Sequence, residues 1–162
     1  MNDLLVKLYD LPEKREIFRE LERKGVRIVR LLAPDIQNLI DFVRTFKSKW
    51  VGECVAACSQ QPITCFVAVK EKKIIGFACY DATCKNFFGP TGVLESERHQ
   101  HIGEALLLCC LQAMKADGFA YAVIGQVGEA AKFYEKSVSA IAIPDSVPGI
   151  YSAMVSYDGS TK

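Results

Sequence analysis

The residues best suited to chemistry lie in a short polar run that precedes a long apolar segment. The run is Arg98-His99-Gln100-His101-Ile102-Gly103, and the segment extends to about Ala116. Apolar residues at helical spacing predict a helix there, with Gly118 just past its end as a C-cap. A helix N-terminus leaves backbone N–H groups unpaired and carries about half a positive charge. The run therefore predicts an anion site suited to a phosphate, which Gly103 allows to approach the backbone closely.

Two common phosphate-binding motifs do not account for this run. The sequence contains no G-x-x-x-x-G-K-[ST], and no G-x-G-x-x-G follows a predicted strand. Spacing alone therefore leaves two interpretations open, which are a phosphate site and an ordinary strand-to-helix turn that contains a glycine.

The elements that must position this run follow from the periodicity of the apolar residues. Helices are predicted at 11–23, from 34 to beyond 43, and at 50–59, 102–116 and 129–136; strands are predicted at 26–31, 64–69, 73–80, 86–94, 119–124, 140–143 and 151–156. The run Gly89-Pro90-Thr91-Gly92 predicts a distortion in the strand before the polar run. The order indicates a mixed α/β fold, largely antiparallel in its first half and with a βαβ unit in its second.

Length and composition limit the function classes. The chain has 162 residues, which suits one domain spanning 1–162, with residues 1–25 predicted as a helical N-terminal extension. Half of the residues are hydrophobic and the net charge is +1, so we expect no nucleic-acid partner and no membrane-surface partner. No signal peptide and no apolar run of about 18 residues are found, so we expect a soluble cytoplasmic protein.

Seven cysteines are present, an odd number, and no CxxC occurs. This pattern favours reduced thiols packed as small hydrophobic side chains over a disulfide scaffold. Cys54 and Cys58 at helical spacing, with His99 and His101 elsewhere, leave a metal site as the alternative. Because no pair has the usual spacing of zinc ligands, we expect no metal.

Four segments resemble the GNAT acetyltransferase superfamily. The run from Arg98 to Gly103 is similar to the family pattern R/Q-x-x-G-x-G/A, with His101 in the place of the first glycine. The stretch Ala130-Ala131-Lys132-Phe133-Tyr134-Glu135-Lys136 resembles the family's A-x-x-F-Y-x-K segment, although Val127 stands where an asparagine is frequent. The hairpin of 65–80 and the strand around 89–93 have the order that the family's elements have. The resemblance covers roughly Val26 to the end.

This resemblance implies a fold, a cofactor and a set of cofactor-binding residues. The implied fold is a central, mostly antiparallel twisted sheet with splayed strands, flanked by helices. The implied cofactor is acetyl-CoA, with the coenzyme A pyrophosphate held by the turn amides and the pantetheine arm held by the splayed strand. The implied cofactor-binding residues are Val93, Leu94, Arg98, His99, Gln100, His101, Ile102, Gly103, Glu104, Ala105 and Phe133.

The resemblance also implies an N-acetyltransferase acting on a primary amine of a small molecule or peptide. Tyr134 is implied as the general acid that protonates the leaving thiolate, and a backbone N–H near Val93 would polarise the carbonyl. For the general base we favour Glu95, with Glu53 and Asp81 as alternatives. Acceptor-pocket candidates are Trp50, Glu53, Tyr80 and Phe87, and a core role for the aromatic ones is the alternative.

Three questions stay open at this point. A catalytically silent acyl-CoA-binding sensor or interaction module is the alternative function. An acyl group longer than acetyl is compatible with the pattern. A homodimer formed through exposed final strands is an arrangement that the pattern allows.

Overall fold

The computed structural model describes residues 2–159, which form one seven-stranded sheet with helices on both faces. The strands are β1 (Leu4–Lys7), β2 (Val26–Arg30), β3 (Cys65–Lys70), β4 (Lys73–Tyr80), β5 (Phe87–Val93), β6 (Tyr121–Ile124) and β7 (Ile141–Ala142). The α-helices are α1 (Arg15–Arg23), α2 (Ile36–Lys47), α3 (Val51–Cys58), α4 (Ile102–Ala116) and α5 (Ala131–Val138). In residues 2–159 no helix is long and apolar enough to cross a membrane.

The strand order is β2-β3-β4-β5-β6-β1-β7, and each neighbouring pair is antiparallel except β5 and β6. The parallel pair is joined by α4, so the predicted βαβ unit is present. The predicted fold class, a mixed α/β protein with a mostly antiparallel sheet and flanking helices, is confirmed.

The strand β1 was not predicted. Leu4 and Val6 are buried while Leu5 and Lys7 are partly exposed, which is the alternation of a strand with one covered face. β1 lies between β6 and β7, and Leu4 pairs with Ile124 and with Ala142. The helical extension expected over residues 1–25 therefore begins only at Arg15. The local pattern missed β1 because its pairing partners lie more than a hundred residues away.

Two hydrophobic clusters cover the two faces of the sheet. One lies under α1 and α4, and the other lies under α2 and α3. In α4 the side chains of Leu106, Leu107 and Leu111 are fully buried. This helix therefore has little exposed surface, as its apolar composition predicted, and its N-terminal end is held firmly against β5.

β5 separates from β6 soon after the two strands begin. They pair only at Phe87 with Val123 and Phe88 with Ile124. On its other side β5 stays paired with β4 as far as Val93, with a register shift beside Ala78. The backbone from Gly89 to Val93 thus has a free edge on the β6 side, and Gly89 has a φ of +116° at the point of separation. The distortion predicted at the Gly-Pro run lies here.

The last predicted strand is wrong. Residues 151–156 do not pair; instead a 3₁₀ segment spans Gly149–Ala153. Gly149 has a φ of +58°, and the Tyr151 amide donates to the Pro148 carbonyl at 3.2 Å, so the chain turns tightly there. Of the two predicted final strands, only β7 is present, and it lies exposed at the edge of the sheet. The homodimer expected through the final strands stays a prediction.

The cysteines are all free, and several of them pack together. Cys65 and Cys79 face each other across β3 and β4, with Cys54 of α3 in contact. Hydrogen bonds with these two thiols, together with burial, raise the pKa of Cys79 well above its ordinary value. These thiols are packing groups of low reactivity.

Candidate functional site

The polar turn occupies the space between the end of β5 and the start of α4. A 3₁₀ turn spans Glu95–Glu97, Arg98 is extended, and α4 begins at Ile102. The Gln100 side chain donates to the Glu97 carboxylate at 3.1 Å, and Lys70 of β3 approaches the same carboxylate at 3.3 Å. The turn therefore has a defined shape, which its own side chains and β3 hold.

Backbone N–H groups at the start of α4 are free to bind an anion. The first amide that bonds back into the turn is that of Ala105, which donates to the His101 carbonyl at 3.0 Å. In the part of the chain from 2 to 159, the amides of 101–104 donate to no other group, and no side chain caps the helix. The amides that the sequence predicted for a phosphate are therefore unoccupied, apart from that of Ala105, and the phosphate site itself stays a prediction.

His101 keeps the backbone shape that a glycine would give. Its φ is +66° and its ψ is 14°, which lie in the left-handed region where glycine is usual. The side chain is exposed, and its Nδ1 lies 3.0 Å from a carboxylate oxygen of Glu104. His101, which stands in place of the first glycine of the family pattern, therefore has a backbone conformation that glycine adopts easily, and it adds an imidazole to the turn.

Gly103 lies where three elements converge. A Cβ built on this residue would lie 3.8 Å from Cγ2 of Val93, at the end of β5, and 3.9 Å from Cζ of Phe133 in α5. These are ordinary contact distances, so the position has room for a small side chain. Three of the four segments that carried the resemblance are therefore brought together around one residue.

The free edge of β5 presents the backbone of Val93. The amide of Leu94 donates to the Ile75 carbonyl of β4 at 2.9 Å, so the Leu94 N–H is occupied. Because N–H groups alternate sides along a strand, the Val93 N–H points away from β4 and toward the free edge. The Val93 carbonyl accepts a hydrogen bond from Nε of Arg98 at 3.2 Å. Val93 thus has a backbone donor that points to the unpaired edge of β5.

Tyr134 of α5 is buried next to β5. Its ring packs edge-on against Phe88 and Phe133, with centroid distances of 6.1 and 5.1 Å. Burial raises the pKa of Tyr134 to about 12. Among the described residues its hydroxyl has no hydrogen-bond partner, and so the phenol proton is available to a bound group.

The predicted base candidates differ in their surroundings. Glu95 is exposed in the 3₁₀ turn, close to the end of β5. Glu53 of α3 accepts a hydrogen bond from the Thr83 hydroxyl. Asp81 is buried and accepts from the backbone amide of Asn86 at 2.7 Å, so it holds the loop before β5 and is not a free base.

Trp50 belongs to an aromatic row that covers β5 on the α2 and α3 face. It stacks with Phe46 at a centroid distance of 6.1 Å, and Phe46 covers Gly92, where a Cβ would lie 2.6 Å from Cε1. The ammonium of Lys47 lies 4.2 Å from the Trp50 ring centroid. The Lys47 ammonium therefore forms a cation–π contact with this face of the Trp50 ring, which shows that the face can bind a cation.

Tyr80 does not line a pocket. It is 1% exposed, and its hydroxyl accepts a hydrogen bond from Arg30 at 2.8 Å. β4 is covered on both faces over its last residues, so alternation along the strand does not bring Tyr80 to the surface. Its assignment to the acceptor pocket is therefore wrong.

Tyr151 is a residue of this region that the sequence did not reveal. A Cβ on Gly125, just after β6, would clash with the Tyr151 hydroxyl oxygen and lie 3.1 Å from Phe87. Burial and the nearby Asp3 and Glu53 raise the pKa of Tyr151 above its ordinary range. The 3₁₀ segment thus brings Tyr151 to the point where β5 and β6 separate, beside the predicted Phe87 and near Glu53.

Replacing Gly125 with alanine should displace the segment that carries Tyr151. The added methyl group overpacks the contact with the hydroxyl, and we expect a loss of about 1–3 kcal/mol of stability together with faster proteolysis after residue 148. Gly52→Ala is the matched control, because a Cβ there meets nothing within 4 Å. Equal melting temperatures and equal cleavage rates for the two variants would contradict the packing described.

Comparisons with known proteins agree with this geometry. Residues 61–137 match the family model of the acetyltransferase (GNAT) domain. No curated protein sequence gives a significant match. Among solved structures, a GCN5-related glucosamine N-acetyltransferase region of a fungal multi-domain GH3 beta-N-acetylglucosaminidase aligns with a TM-score of 0.72 at 14% identity, over 88% of this chain and 19% of that chain.

Two further structures share the fold. A GCN5-related N-acetyltransferase from Sphaerobacter thermophilus aligns with a TM-score of 0.61 at 16% identity, over 88% of this chain and 48% of that one. An aminoglycoside N-acetyltransferase in complex with CoA aligns with a TM-score of 0.56 at 14% identity, over 69% of this chain and 86% of its own. The chain therefore spans about a fifth and about a half of the length of the first two structures.

Proposed function

We propose that this chain, whose residues 61–137 match the family model of the acetyltransferase (GNAT) domain, transfers an acetyl group from acetyl-CoA to a primary amine. One observation carries the proposal. The free amides of 101–104, the free edge of β5 at Val93, and the α5 residues Phe133 and Tyr134 lie close together around Gly103.

The residues present fit coenzyme A. The amides of 101–104 and the helix dipole would hold the pyrophosphate, and Gly103 leaves the space for it. Backbone groups on the free edge of β5 would hold the pantetheine arm. Arg98, now bound to the Val93 carbonyl, would be free to turn to the phosphates. When bound, the thioester supplies an activated acetyl group.

Catalysis then needs three contributions from the chain. The Val93 N–H would stabilise the oxyanion that forms as a neutral amine attacks the carbonyl. Tyr134 would donate its proton to the sulfur as the C–S bond breaks, and regain a proton from solvent. With a phenol pKa of about 12 and a thiol pKa of about 8.5, an isolated transfer is uphill by about 5 kcal/mol. The transfer must therefore accompany C–S cleavage.

The proton of the incoming ammonium must pass to a base. Glu95 lies in water next to the end of β5, and we assign it as the base that acts directly or through a water molecule. Glu53 lies near Tyr151, which packs beside Phe87. There it would bind the amine-bearing end of the acceptor, with Trp50 as the aromatic wall.

A second candidate function is a silent acyl-CoA-binding module. It is favoured by the solvated position of Glu95, which no other described side chain orients. Such a module would bind coenzyme A with the same turn and would release no thiol in the presence of amines.

A thiol-release assay separates the two functions. Purified protein is mixed with acetyl-CoA and a panel that includes glucosamine, an aminoglycoside, a polyamine and a lysine peptide, and free thiol is followed. We expect turnover with at least one amine, and calorimetry should give coenzyme A binding. Binding without turnover across the panel would replace the enzyme by the binding module, and absence of binding would refute both.

A further inference from the structure

Glu104 is a buried carboxylate in the first turn of α4, where the pyrophosphate is proposed to bind. Its side chain is 9% exposed. A negative side chain is favourable at a helix N-terminus, but it repels an anion that binds to the same amides. The proposed phosphate site therefore contains a charge that opposes its ligand.

Two partners surround this carboxylate. Nζ of Lys14 pairs with Oε1, and Nδ1 of His101 lies 3.0 Å from Oε2. Burial alone would raise the pKa of Glu104, but the hydrogen bonds from Lys14 and His101 outweigh it and leave the pKa below its ordinary value. Glu104 is thus ionised at neutral pH, and the Lys14 ammonium cancels its charge.

Lys14 reaches this position from outside the matched family segment. It immediately precedes α1, with a φ of +44°, and the amide of Ile17 donates to its carbonyl at 3.1 Å. Its side chain is 29% exposed and crosses to α4, 90 residues further along the chain. Lys14, which lies before the matched segment that starts at residue 61, thereby contributes a positive charge to the N-terminal end of α4.

His101 faces the same carboxylate through Nδ1. Its Nδ1–H donates to Glu104, so Nε2 is the free ring nitrogen of a side chain that is 59% exposed. The imidazole stands beside the free amides of 102–104, in the position where the family pattern has no side chain. A protonated imidazole would donate a hydrogen bond from Nε2 to the phosphates, in addition to those from the backbone amides.

We propose that Lys14, Glu104 and His101 form a charge-compensating triad that sets the affinity of the turn for the coenzyme A pyrophosphate. Lys14 is a positioning residue, which acts by neutralising Glu104 and needs no contact with the cofactor. His101 is a second cofactor contact. The inference rests on the proposed function, because it assumes that the pyrophosphate binds at this turn.

Calorimetry with coenzyme A as the ligand tests the triad. We expect Lys14→Met to weaken binding at least about 10-fold, because it leaves an unpaired carboxylate beside the phosphates. Lys14→Met combined with Glu104→Gln should restore the affinity to within about threefold of the wild type. Lys14→Arg should also retain it. Lys24→Met is the matched control, since Lys24 forms an exposed ion pair with Glu20 at the other end of α1.

A purely structural role gives a different pattern. If Lys14 only ties α1 to α4, the Lys14→Met variant loses thermal stability at unchanged affinity, and the double variant gains nothing; either result overturns the triad. If Lys14→Met does not fold, Glu104→Gln alone decides: tighter binding supports the triad, and unchanged or weaker binding overturns it. Failure of the wild type to bind coenzyme A would instead refute the proposed function.

Discussion

Replacing Gly103 with glutamate should reduce the affinity for coenzyme A by about 100-fold or more while the protein stays folded. The new carboxylate would lie at the start of α4 among the amides proposed to hold the pyrophosphate, and repulsion of about 3 kcal/mol accounts for that loss. The fold should survive because a Cβ at Gly103 makes only ordinary contacts with Val93 and Phe133. Isothermal titration calorimetry measures the affinity, and a thermal melt checks the fold.

Two further variants make this result specific. Gly103→Ala should bind more weakly than the wild type but more tightly than the glutamate variant, because it adds volume without charge. Gly52→Glu adds the same charge on α3, at a glycine with open space around it, and should leave binding unchanged. A Gly103→Glu protein that binds coenzyme A like the wild type would remove the pyrophosphate from this turn.

The second large effect is expected for Tyr134→Phe. The variant keeps the ring that packs against Phe88 and Phe133 and loses only the hydroxyl. Loss of a general acid lowers kcat by about 10²- to 10⁴-fold, and we expect coenzyme A affinity to change by less than about twofold. Steady-state kinetics with the best amine of the panel, together with calorimetry, separates the two quantities.

Other tyrosines supply the controls for this change. Tyr121→Phe alters an exposed residue at the start of β6 and should have no effect on rate. Tyr151→Phe tests the half-buried phenol beside Phe87. Wild-type turnover by Tyr134→Phe combined with a slow Tyr151→Phe enzyme would move the acid from α5 to the C-terminal segment.

The pH dependence of kcat follows from the environment of Tyr134. A group with a pKa raised to about 12 is protonated at every lower pH, so the acid stays competent through the neutral and alkaline range. We expect the rate to rise as the amine loses its proton and then to stay level to about pH 10. A decline below pH 10 that disappears in Tyr134→Phe would contradict the apolar surroundings of this phenol.

Local patterns were sufficient for the elements around the proposed cofactor site. The helix from Ile102 to Ala116 has the bounds that its apolar periodicity predicted, because most of its side chains are buried. The distortion in β5 followed from Gly89 and Pro90, whose backbone limits are properties of the residues themselves. The parallel β5-α4-β6 unit could also be predicted without knowledge of tertiary contacts, because each of its elements follows from the residue types within it.

Features that depend on distant partners could not be predicted. Tyr80 was assigned to a pocket, yet Arg30 and the covering of β4 on both faces make it a core residue. The ion pair of Lys14 with Glu104 joins residues that no local spacing connects. Tyr151 reaches Gly125 only because Pro148 and Gly149 turn the chain into a 3₁₀ segment where residue composition suggested a strand.

The position of β1 between β6 and β7 has a consequence for the order of folding. Its partners are residues 121–124 and 141–142, so a nascent chain exposes Leu4, Leu5 and Val6 long before it can pair them. Closing a loop of this length is entropically costly and slow compared with forming the β3–β4 hairpin. The β2–β5 half of the sheet can therefore form co-translationally. Docking of β1 is then the late step that completes the sheet, and until then its apolar edge is open to aggregation and chaperone binding.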